Sequence, residues 1–164
     1  MDILAIDAST KSSGLALFED TKLKTYTCIT ASSTDLIKRI QKVIKELNTF
    51  LTENKVDKII LEEVIQDSSK NIKTYKALMY LQAGITFLLH ENFPHIEVEY
   101  VYPSEWRASC GIRNGRGIKR ESLKEEDINF VKQNYGITVN DDVADAIGIG
   151  HAYVNKLDNK FDWS

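Results

Sequence analysis

The stretch that decides the fold is "ILAIDAST", Ile3 to Thr10. Ile3, Leu4, Ala5 and Ile6 form an unbroken apolar run, the pattern of a buried strand. Asp7 ends that run and is followed by small and hydroxyl side chains. A carboxylate at the end of a core strand is costly unless a donor, a cation or a metal meets it. The remainder of the chain must supply that partner.

The segments around this strand set the class. Residues 14–19, "GLALFE", and 22–30, "KLKTYTCIT", read as two more strands, and "EDTK" at 19–22 supplies a polar tight turn between them. The first three strands therefore form an antiparallel meander. A helix begins at "SSTD", with Ser33 or Thr34 as N-cap and Asp35 in its first turn, and runs to Glu53. "DKIILEEV", 57–64, is a fourth strand, and residues 70–91 form a long helix with Leu78, Leu81, Ile85, Leu88 and Leu89 on its apolar side. "IEVEYVY", 96–102, alternates as a fifth strand. A short helix follows Pro103, "RNGRG" at 113–117 is a loop, and residues 119–134 and 141–157 are two further helices. The order predicts an α/β protein: a mixed five-stranded sheet, antiparallel meander plus parallel strands, with helices on both faces. Residues 1–157 make one domain, and 158–164 a polar C-terminal tail.

The chain has 164 residues and is 43% hydrophobic, enough for one sizeable core. No apolar run approaches the ~18 residues of a membrane span. No basic segment precedes an apolar stretch at the N-terminus, so no secretory signal is expected. Cys28 and Cys110 have neither metal-ligand nor disulfide spacing, which suits reduced thiols in a cytoplasmic protein. The net charge is −3, yet Arg107 to Arg120 contains Arg107, Arg113, Arg116, Lys119 and Arg120 and no acid. That segment is +5 and the remainder −8, an asymmetry that marks a local anion-binding surface on an acidic body. Lys70, Lys73 and Lys76 open the 70–91 helix at helical spacing and extend the basic surface.

Other acids fall where strands and helices end. Glu62 and Glu63 close the fourth strand, and Asp141, Asp142 and Asp145 open the last helix in "NDDVADAIGIG". If the first and fourth strands are parallel neighbours, Asp7 meets one of the glutamates, and strand alternation decides which. Asp142 and Asp145, three apart, share a helix face. Ala144, Ala146, Gly148 and Gly150 let that helix approach the sheet. Read singly, Asp141 or Asp142 is a helix cap, Glu63 a solvated strand residue and Asp7 an Asx-turn residue. Together the acids converge on one point, and crowded carboxylates with oxygen ligands suit Mg²⁺ or Mn²⁺.

These residues resemble the RuvC family of Holliday-junction resolvases, within the RNase H-like nucleases. The resemblance spans about residues 2–157 and rests on "IDAST…G", "ILEEV", "LQAG" at 81–84, "RNGRGIK" and "DDVADAIGIG". It implies an acid set of Asp7, Glu62, Asp142 and Asp145 holding two Mg²⁺ (or Mn²⁺) ions, with Asp7 bridging them. Such ions, typically ~3.5–4 Å apart, activate water and stabilise the leaving oxygen. It also implies that Lys119 assists the scissile phosphate and that the basic segment holds the DNA. The activity implied is symmetric nicking of four-way junctions and other branched DNA by a homodimer, leaving 5′-phosphate and 3′-hydroxyl ends. The short chain is more similar to a bacteriophage version, which would act in the bacterial host's cytoplasm. One departure matters. The family often has an aromatic residue three after the strand-four glutamate, and here that position is Ile65. The "DAST" hairpin is also similar to the phosphate-binding start of actin-like and sugar-kinase folds, which need a longer chain. The same fold also suits a non-catalytic DNA-binding module, or a nuclease for RNA–DNA hybrids or general branched DNA.

Overall fold

The computed structural model describes residues 1–66, 71–113, 115 and 117–161, the side chains of 157–161 excepted. Its elements are β1 (Asp2–Asp7), β2 (Ser12–Glu19), β3 (Lys22–Thr30), α1 (Leu36–Glu53), β4 (Lys58–Glu62), α2 (Ile72–Asn92), β5 (Glu97–Val101), α3 (Pro103–Ser109), α4 (Arg120–Tyr135) and α5 (Asp141–Phe161). The strands form one sheet in the order β3-β2-β1-β4-β5. β1 pairs antiparallel with β2 and parallel with β4, and β5 is parallel to β4. The meander and the parallel half are both present, with helices on both faces.

β1 lies at the centre, and its apolar run divides by alternation. Leu4 and Ile6 face a core with Val43, Leu47 and Leu51 of α1 and Leu81, Ile85, Leu88 and Leu89 of α2. Ile3 and Ala5 face the opposite core, shared with Trp106 of α3, Val131 of α4 and Val143, Ala144, Ala146 and Ile147 of α5. Two cores on two faces explain why "ILAI" carries no polar position. The β2–β3 turn is tight because Asp20 and Thr21 both take positive φ, +45° and +72°, as a two-residue hairpin requires.

Several boundaries differ from the sequence reading, among them the start of β2 at Ser12 rather than Gly14. The cap of α1 is Asp35, not Ser33 or Thr34. Its carboxylate accepts from the Ile37 and Lys38 N–H groups, while the Ser33 hydroxyl accepts from the Asp35 N–H just outside the helix. α2 begins at Ile72 behind an Asn71 cap that accepts from the Thr74 N–H. α5 continues to Phe161, four residues into the expected tail. No Pro or Gly stops it there. No helix among the described residues is long and apolar enough to cross a membrane, and both cysteines are free thiols.

Candidate active site

Alternation places Asp7 on the same face as Ile3 and Ala5, the face that α5 covers. The parallel register pairs Ile6 with Leu61, so the next residues, Asp7 and Glu62, end adjacent strands side by side. Glu62 shares the face of Ile60, and its carboxylate accepts a 2.7 Å hydrogen bond from the Trp106 indole N–H on that side. Glu63 instead turns its backbone N–H to the Val101 carbonyl.

α5 brings the other two acids. Gly14, which pairs with Asp7 in the β1–β2 ladder, lies so close to the start of α5 that a Cβ there would stand 2.0 Å from the Asp142 carbonyl oxygen. Further along, Gly148 and Gly150 seat the helix on the rings of Trp106 and Phe18. The helix start is capped by Asn140, whose side chain accepts from the Val143 N–H. Asp142 is thereby spared that task and accepts a 2.5 Å hydrogen bond from Ser12. Asp141 pairs with Lys124, whose hydrogen bond holds its carboxyl below the usual carboxylate range.

Asp7, Glu62, Asp142 and Asp145 thus gather beneath one helix end, and the crowding is felt. Burial pushes the Asp7 carboxyl well above its ordinary value, and the charges of Glu62 and Asp142 push it further. Asp145 is pushed up to about 11, first by burial, then by hydrogen bonding to Asp127 and by the charge of Asp7. The Arg107 cation acts on both. Burial works against its charge, but Asp127, Asp145 and Glu62 hold the guanidinium charged. Its Nη2 lies 3.1 Å from Asp127 and 3.7 Å from Asp145.

The donor set fits a divalent cation. All four groups are carboxylates, the ligands of hard cations such as Mg²⁺. The buried Asp145 carboxyl lies against both Asp127 and Asp7, crowding that a bound cation would relieve. Among the described residues, however, no three His, Cys, Asp or Glu side chains are already arranged to hold a metal. Glu62 is engaged by Trp106 and Asp142 by Ser12, so closing a metal shell requires side-chain rotation.

The sequence-predicted basic residues divide. Lys119 occupies the N-cap position of α4, and Arg120 is its first residue, both exposed. Lys73 and Lys76 lie on the first turns of α2, also at the surface. Arg113 is paired with Glu126 at 2.8 Å. Arg107 is committed to the acid cluster rather than to the outer surface. Lys70 and Arg116 lie outside the described residues. Gly115 and Gly117, at φ +142° and +85°, take backbone conformations that favour glycine between Arg113 and Lys119.

Three partners were not expected from sequence: Trp106, Asp127 and Ser12. Trp106 carried a signal, as a single large aromatic within a short polar helix. Asp127 carried none, because "KEEDINF" has the composition of a solvated helix face. Ser12 reads in sequence as a turn residue.

No family model matches the chain, and no curated protein is significantly similar to it. Solved structures are similar in fold. The RuvC structure of Thermus thermophilus in complex with a Holliday junction substrate superposes with a TM-score of 0.73 at 15% identity, covering 96% of each chain. A further T. thermophilus RuvC structure gives 0.72 at 15% identity, over 98% of this chain and 97% of that one. The yeast mitochondrial Holliday junction resolvase gives 0.60 at 16% identity, over 98% of this chain and 82% of that one. Across nearly its whole length, this chain has the mixed-sheet RNase H-like fold of RuvC.

Proposed function

We propose that this protein is a metal-dependent endonuclease that nicks four-way DNA junctions. The observation that carries the reading is the convergence of Asp7, Glu62, Asp142 and Asp145 from β1, β4 and α5. Its whole-length likeness to junction resolvases supports the substrate class. Asp7, Glu62, Asp142 and Asp145 would hold Mg²⁺ or Mn²⁺, two per site, which when bound activates water and stabilises charge on the scissile phosphate. The chain's own groups do the rest. Asp7 is central, between Glu62 on the neighbouring strand and Asp142 above it. Arg107 offsets part of the acids' repulsion. Lys119 and Arg120, exposed at the start of α4, and Lys73 and Lys76 on α2 meet backbone phosphates, with Lys119 nearest in role to the scissile one. The products are 5′-phosphate and 3′-hydroxyl ends.

A junction has two-fold symmetry, and paired nicks need two sites. α2 offers the surface for a homodimer. Tyr80, Ala83 and Phe87 recur on one outward stripe, with Tyr80 and Phe87 53% and 71% exposed. Ile65 in place of an aromatic three residues after Glu62 favours cleavage of branched DNA broadly over a sharp sequence preference.

The test is nicking of a synthetic four-way junction with Mg²⁺ or Mn²⁺, beside three-way, fork and RNA–DNA hybrid substrates. Symmetric, ligatable nicks in the four-way junction are expected. Cleavage confined to hybrids, or no cleavage, would overturn the proposal.

A further inference from the structure

We infer that Trp106 and Arg107, adjacent on α3 and the latter clamped by buried Asp127 of α4, are positioning residues that set Glu62 and Asp145 for the cation. The inference rests on the acid cluster being the metal site of the proposed nuclease.

Trp106 is fully buried. Its ring fills the space that Gly148 leaves: a Cβ at that glycine would come 2.5 Å from the ring. A ring so enclosed cannot turn, so its single N–H donor points one way, onto Glu62. Arg107 is as firmly set. Its Nε and Nη2 reach the two carboxylate oxygens of Asp127 at 3.5 and 3.1 Å, a forked pairing. Its guanidinium also stacks 4.5 Å from the Trp106 ring centre.

Asp127 is itself 1% exposed, in a helix otherwise rich in solvated charge. A buried carboxylate needs its cation, and Arg107 is that cation. Arg107 then reaches Asp145 Oδ2 at 3.7 Å, and Asp127 hydrogen-bonds the same buried carboxyl. The Arg107–Asp127 pair thus steers the Asp145 carboxyl from the side of α3 and α4. Two neighbouring side chains on one seven-residue helix therefore register an acid from β4 and an acid from α5. Outer groups that orient ligands in this way typically change metal affinity about 10- to 100-fold when altered.

The experiment is calorimetric titration of Mn²⁺ alone into the full-length wild type, Trp106→Phe, Asp127→Asn and Arg107→Lys, with melting recorded for each. Trp106→Phe keeps an aromatic ring in the core and loses the N–H donor together with part of the ring volume, a packing loss that the melting curve reads separately; Arg107→Lys keeps the charge and loses the fork. Roughly 10-fold or weaker Mn²⁺ binding in the folded variants is expected, with kcat on the junction falling and KM unchanged. Folded Trp106→Phe and Asp127→Asn proteins that bind Mn²⁺ as tightly as wild type would overturn the inference. A wild type that binds Mn²⁺ more tightly than the variants but cuts no DNA upholds it and overturns the nuclease proposal instead.

Discussion

Gly14 lies directly against the backbone of Asp142, and a Cβ at Gly14 would stand 2.0 Å from the Asp142 carbonyl oxygen and 2.4 Å from its carbon. The contact is backbone on backbone, between the strand partner of Asp7 and the first turn of α5. It sets how far the last helix can descend toward the sheet, and so where two of the four acids lie.

Gly14→Ala should therefore damage both stability and chemistry. Overpacking typically costs about 1–3 kcal/mol, and here no flexible side chain can yield. Urea unfolding should show a loss at or above that range, with cleavage reduced further than stability explains. Gly84→Ala is the contrast. Its Cβ would meet the Ile44 side chain at 3.3 Å, and alanine is favoured in helices by about 0.5–1 kcal/mol, so stability should change little.

The metal-free protein should be destabilised by its own active site as pH rises. Asp7 and Asp145 have folded-state pKa values above those of the unfolded chain, the latter at about 11. The folded state therefore binds more protons than the unfolded one. That contribution is complete below the unfolded value of about 3.9 and is lost as pH rises toward the folded values. Asp145→Asn in EDTA should be more stable than wild type by about 1–3 kcal/mol at pH 8, with the difference shrinking toward pH 4. Saturating Mn²⁺ should reverse the ranking, since it stabilises only the protein that binds it. Thermal melts across this pH range, with and without Mn²⁺, make the check.

The fold was legible in the sequence because its strands have distinct patterns. "ILAI" is an unbroken apolar run and "KLKTYTCIT" alternates, and both patterns mark strands. Asp7 was legible as the polar interruption of such a run. Alternation alone leaves Glu62 and Glu63 open, the family resemblance selects Glu62, and the register pairing Ile6 with Leu61 sets it beside Asp7. Asp127 was hidden for a physical reason. Its buried charge is paired by Arg107, twenty residues earlier on another helix, and a window on "KEEDINF" contains no trace of that partner. The cap of α1 is ambiguous in sequence because three consecutive polar residues, Ser33, Thr34 and Asp35, are all good caps, and only backbone geometry selects among them.

Phe87→Glu tests the proposed dimer. The side chain is 71% exposed, and a surface substitution of this kind usually changes stability by no more than about 0.5 kcal/mol. Sedimentation at micromolar concentration should change from dimer to monomer, and junction nicks should lose their symmetric pairing. A wild type that sediments as a monomer removes the dimer.

Lys119→Ala and Arg120→Ala should weaken junction binding without touching the acids. Each phosphate contact removed should flatten the dependence of log affinity on log salt by about 0.9. Arg113→Ala should flatten it less, because Glu126 already neutralises that guanidinium at 2.8 Å. Fluorescence anisotropy of a labelled junction in EDTA over a salt series separates the three.

The most direct measurement compares wild type and Asp7→Asn on one labelled four-way junction, reading binding in EDTA and nicking in Mn²⁺. Asn keeps the shape of the side chain and removes the charge that the converging acids share. Binding within a few-fold of wild type with nicking abolished is the predicted result. An Asp7→Asn protein that cuts the junction as fast as wild type would contradict the account.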